Sequence, residues 1–183
     1  MSYKPFDPAV EVHGQPMQTF VECISKSEVA PILNDLGIDG INPEKWYPQQ
    51  LWLDIFNRLT AKQQAFLTFV DIGMRTIELT RYPDEVKNIP FVDFMVHGAN
   101  QTHQHNHRGG DAGEYQVSLA GDNHIVVKAR VAYPDDFVYG CYYQLTKQFK
   151  PEDTDFLVKY DENEPKREDG GEYTVIHITW KSK

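Results

Sequence analysis

The sequence predicts an α+β fold: a helical N-terminal half, residues 1–97, packed on a C-terminal β-hairpin–helix–β-hairpin antiparallel sheet unit, residues 98–183. Three observations predict it. Before Gly98, apolar residues recur at helical intervals. After Gly113 they alternate, as half-buried strands require. Between the two alternating regions, Pro134, Asp135 and Asp136 open a helix. Proline lacks an N–H that the first turn cannot use, and acids there complement the helix dipole. No linker composition separates the halves, and 183 residues is a usual size for one domain, so residues 1–183 are read as a single domain.

The elements follow in order. Pro5, Pro8, Gly14 and Pro16 make residues 1–18 an irregular arm, with a short strand expected over Thr19–Ile24. Ser25 and Glu28 have capping-box spacing, Val29, Ile32, Leu33 and Leu36 make one helical face, and Gly37 stops that helix. Asn42 and Pro43 start the next turn. Leu51, Trp52, Ile55, Phe56 and Leu59 form a second helical face. A third helix is expected from caps at Thr60 and Gln63, through Phe66, Phe69 and Met74, to about Tyr82. A weaker helical stretch begins at Asp84 and is interrupted by Pro90. Residues 98–113, rich in His, Asn and Gly, read as a loop. Tyr115, Val117 and Leu119, a Gly121–Asn123 turn and the β-branched run Ile125–Val131 make a hairpin. The helix from Pro134 ends near Phe149, before Pro151. Phe156, Val158 and Tyr160, then Tyr173, Val175, His177 and Thr179, make a second hairpin.

Composition excludes some classes of function. A net charge of -9 argues against nucleic acid or an anionic membrane surface as partner, since both need a basic face. No apolar run approaches the ~20 residues of a membrane span. Cys23 and Cys141 stand far apart, outside any Cys-x-x-Cys pattern, and the N-terminus lacks a basic start with an apolar block. The expected compartment is therefore the cytoplasm. No nucleophile elbow, P-loop or dinucleotide fingerprint is present.

Three stretches of the C-terminal half carry a resemblance. They are HRGGDAGEY (His107–Tyr115), YPDDFVYG (Tyr133–Gly140) and KREDGGEYTVIHITW (Lys166–Trp180). In this order and spacing they resemble the haem-NO-binding (H-NOX-like) and vinyl-reductase-type small-molecule-binding domains of bacteria. The resemblance implies a helical region on a hairpin–helix–hairpin region, with a haem or another small apolar molecule in the cleft between them. It also implies signalling to a partner protein. In haem-binding members a Tyr-x-Ser-x-Arg motif grips the propionates. Here Tyr133 matches, while Asp135 and Phe137 replace Ser and Arg. An acid repels propionates, which disfavours haem and favours another apolar ligand. The resemblance places a proximal histidine about thirty residues before Tyr133, where His103 and His105 lie.

His103-x-His105-x-His107 is the sharpest local feature. Extended, the three rings would project to one side; on a helix, His103 and His107 would be neighbours. Either arrangement could hold a divalent metal such as zinc, and a solvated polar loop is the plainer alternative. The leading expectation is a non-catalytic sensory domain. Its apolar ligand would lie between the halves, against Trp52, Phe69, His97, Tyr133, Tyr139 and Tyr143. Gly140, inside the last helix, would let a partner helix or ligand approach closely. The alternatives are a metal-binding protein or metalloenzyme using the three histidines, and an interaction module acting through a homodimer face or a strand edge.

Overall fold

The two hairpins merge into one sheet. Gly113–Gly121 (β4) pairs with His124–Val131 (β5), and Thr154–Tyr160 (β6) pairs with Thr174–Ser182 (β7). β5 also pairs antiparallel with β7, giving the order β4-β5-β7-β6. Alternation sets the faces: Ile125, Val127, Ala129 and Val131, with Ile176, Ile178 and Trp180, are buried toward the helices. His124 and His177 stand on the opposite face, as expected for His177 from its place between Ile176 and Ile178. The computed structural model describes residues 2–61 and 69–183.

The helical half comprises Gly14–Glu22 (α1), Lys26–Asp35 (α2), Gln49–Ala61 (α3), Phe69–Leu79 (α4) and the short Asp84–Lys87 (α5). Phe91–Asp93 (α6) continues through a π-helical turn, Phe94–Gly98, into Ala99–His105 (α7). Asp135–Phe149 (α8) lies between the hairpins. Gly37 closes α2 with φ of 71°, its N–H bonding Asn34 O while the N–H of Ile38 bonds Leu33 O. That is the paired closure a left-handed residue permits. The cap expected at Gln63, and Phe66 with it, lie outside the described residues.

α4 and α8 cross with their backbones nearly touching. A Cβ on Gly73 would lie 2.3 Å from Phe137 O, and one on Gly140 would lie 2.1 Å from Val70 O. The close approach expected of Gly140 is thus made by a helix. Beneath the crossing, Phe20, Phe56 and Phe137 interlock with Trp52 and Tyr133, with ring centroids 4.6 to 6.5 Å apart. Each fully buried ring of this kind contributes roughly 1.5–3 kcal/mol.

Three expectations are corrected. Thr19–Ile24 is not a strand: its first residues are the last turn of α1, which buries Gly14, Met17 and Phe20 on one face and is capped by the His13 side chain. Residues 98–113 are not a loop throughout, because α7 occupies 99–105. Its polar residues are consumed by the edge of the sheet. Asn100 Oδ1 accepts from Tyr115 N at 3.0 Å, and Gln104 Nε2 donates to Gly113 O at 2.9 Å. α7 thereby covers part of an otherwise open strand edge. The N-terminal arm is not wholly irregular: Glu11–His13 (β1) joins Trp46–Pro48 (β2) and His107–Arg108 (β3) in a second small sheet, order β2-β1-β3.

Candidate functional site

A cavity of about 350 Å³ lies between α1, α3, α4, the π turn with α7, β4 and α8. Small-molecule pockets range over roughly 300–1,000 Å³. Its walls are mostly apolar: Pro16, Trp52, Ile77, Tyr82, Phe94, Met95, Ala99, Tyr115, Tyr133, Phe137, Cys141, Tyr142 and Leu145. On α8 the lining residues Phe137, Cys141 and Leu145 recur every four positions, one face of the helix.

The histidines form the polar wall. His103 is buried, and its Nε2–H donates to the Ala112 carbonyl at 3.1 Å. His107 Nδ1–H donates to the His103 carbonyl at 2.7 Å, which leaves Nε2 to accept from the Tyr133 hydroxyl at 2.6 Å. The two rings lie 4.1 Å apart between centroids. Burial, and then the neighbouring His107, push the pKa of His103 down to about 3; burial lowers that of His107 as well. Both rings are therefore neutral near pH 7. The Gln49 amide is buried beside the Tyr133 hydroxyl.

A pH dependence follows. The unfolded imidazole titrates near 6.5, above its value in the fold, so the unfolded state binds more protons below that pH. Stability from the neutral buried ring is complete above about pH 6.5 and declines as pH falls toward 3, by up to about 1.4 kcal/mol per unit. Urea midpoints measured at pH 7.5 and pH 5 should fall less in His103→Leu than in the wild type. Equal falls would contradict this account of His103.

The structure gathers some of the residues named from sequence and not others. Trp52 and Tyr133 line the cavity. Phe69 packs instead on Phe56 and Tyr3, and His97 is exposed on the π turn. Tyr139 and Tyr143 turn toward the sheet, where the Tyr139 hydroxyl donates to Val158 O at 2.7 Å and Tyr143 meets Phe156. They are one turn apart on α8, on a face other than that of Cys141 and Leu145. His103 and His107 come together, whereas His105 is exposed. Among the described residues no group of three or more His, Cys, Asp or Glu could hold a metal ion. Sequence reasoning did not single out Met95, Tyr115 or Thr76 as lining residues. The spacing of Met95, Ala99, Thr102, His103 and Asn106 was the available signal.

The fold raises the question of haem. Neutral His103, with one ring nitrogen engaged by a carbonyl, is the residue whose other nitrogen would hold the iron of a haem. The propionate side differs. Asp135 is buried, accepts from the Thr174 hydroxyl and from Glu168 N, and lies where the gripping serine would be. Phe137 is buried among the aromatic rings where the gripping arginine would be. Arg167 does not compensate, because its guanidinium donates to Val131 O beside the Asp135 and Glu168 carboxylates. The residues present do not fit the two propionates of a haem.

No protein-family model and no curated protein sequence matches the chain. Solved structures do. A point variant of Tt H-NOX aligns with a TM-score of 0.69 at 17% identity, over 93% of this chain and 95% of that one. An oxygen-binding H-NOX domain related to soluble guanylate cyclases, in its oxygen complex, aligns with a TM-score of 0.67 at 17% identity, over 92% and 93%. A structure described as giving insight into the mechanism of H-NOX activation aligns with a TM-score of 0.67 at 16% identity, over 93% and 97%. With helices and antiparallel sheet matched along nearly its whole described length, the chain is a divergent domain of H-NOX-like fold.

Proposed function

We propose that this chain is a non-catalytic sensory domain that holds a small apolar molecule in the cavity between its helical half and α8. The observation that carries the reading is the cavity itself: about 350 Å³, walled chiefly by aromatic and aliphatic side chains, with its histidines neutral. An apolar guest gains the transfer free energy of the surface it removes from water. The oxygen-binding relative of the same fold supports a ligand-sensing role. Occupancy would be read out by a partner protein in the cytoplasm, through the helices that wall the cavity. No helix among the described residues is long and apolar enough to cross a membrane.

Ethylbenzene tests the reading. Binding confined to the folded state raises the melting temperature, since a ligand at a hundred times its Kd stabilises by about 2.7 kcal/mol. The wild type should melt higher with ethylbenzene, and Ala99→Phe, which puts a ring into the cavity, should lose most of that rise. No rise in the wild type, or an equal rise in both, would overturn the proposal.

A further inference from the structure

We infer that the molecule held in this cavity is a medium-chain monocarboxylate, with its apolar tail inside and its carboxylate at the mouth on Arg81. The inference rests on the cavity reading above and adds the head that the apolar body carries.

The exposed lining residues, Gln15, Arg81 and Thr102, mark the mouth. Among the described lining residues Arg81 alone carries a full charge, since His103 and His107 are neutral. It lies just beyond the end of α4 and makes no ion pair among the described residues, although the chain has 27 acidic residues for 18 basic ones. An arginine packs its apolar stem on a wall and keeps its guanidinium in water. The guanidinium stays charged at any working pH, and its planar fork takes a carboxylate by two hydrogen bonds. A second observation points the same way. Gln15 and Pro16 line the cavity from the first turn of α1, and that turn carries no acid to offset the positive end of the helix dipole.

The tail follows from the interior. Its walls are mostly aromatic and aliphatic, and its histidines carry no charge. A carboxylate drawn inside would lose its hydration without gaining a buried cation, so the charge stays at the mouth. The second charge of a phosphate monoester would face no second cation in the lining. One cation at the rim of an apolar cavity is the complement of one anionic head on an apolar tail.

Octanoate, 1-octanol and octylammonium share a tail and differ in the charge of the head. Their affinities are read by calorimetric titration at low salt. In the wild type, octanoate should bind about tenfold more tightly than octylammonium, since an exposed pair attracts and a like pair repels by similar amounts. In Arg81→Gln, an exposed position where the fold is not at risk, octanoate should weaken about threefold or more while 1-octanol is unchanged. Added salt should erode the preference for octanoate in the wild type and leave Arg81→Gln unmoved. Ala99→Phe, which fills the cavity, should weaken all three. Octanoate no tighter than octylammonium, a ratio that Arg81→Gln does not move, or octanoate indifferent to Ala99→Phe overturns the inference, and the cavity reading still stands if 1-octanol binds. Failure of 1-octanol to bind the wild type would instead remove the cavity reading.

Discussion

Gly140→Ala is expected to destabilise the domain by about 3 kcal/mol or more, one of the largest effects of any single methyl group here. The new Cβ would sit 2.1 Å from Val70 O and 3.0 Å from Val70 Cα, atoms of helix backbone that cannot rotate away. Relief requires α4 and α8 to separate, and that would loosen Phe137 against Phe20 and Phe56. For a chain of this size the melting temperature should drop by roughly 6–12 °C, followed by circular dichroism. Gly40→Ala is the control, because nothing lies within 4 Å of the added Cβ. It should stay within about 0.5 kcal/mol of the wild type. Similar losses in the two variants would show that the helix crossing is not as tight as its geometry requires.

Phe56→Ala should cost about 3–5 kcal/mol. Phe56 is fully buried and meets six rings: Tyr3, Phe20, Trp52, Phe69, Tyr133 and Phe137. Its loss leaves a void that helices already in backbone contact cannot close, so the transfer term and the cavity term add. Leu157→Ala, on the outer face of the sheet and 56% exposed, is the comparison and should be nearly neutral. Denaturant midpoints for both, with slopes unchanged, check the contrast; equal midpoints would refute it.

The parts of the fold that were legible in sequence share one property: each buries one face in a regular period. Ile125 to Val131 and Val175 to Thr179 alternate because one side of a sheet is covered, and α3 shows Leu51, Trp52, Ile55 and Leu59 because it lies on a core. α7 was not legible because its surroundings are polar. Asn100 and Gln104 serve the β4 edge, and His103 is buried as a neutral ring, so composition imitates a loop. The site was half legible for a related reason. Trp52 and Tyr133 stood out as aromatics, but Tyr139, Tyr142 and Tyr143 lie on one helix, and only their angular position separates the cavity wall from the sheet face. That position depends on the crossing at Gly73 and Gly140, a tertiary property.

The π turn has a consequence for phase. Met95 and His103 both line the cavity although eight residues separate them. At about 100° per residue, positions eight apart in an uninterrupted α-helix point about 80° apart. The wide turn absorbs one residue without advancing the helix by a residue's rotation, which brings the pair back to within about 20°, as in a heptad. Phe94–Gly98 thus acts as a phase corrector: one residue inserted in the chain realigns the wall that follows it, and the same residue hides the helix from any template that counts in steps of 3.6.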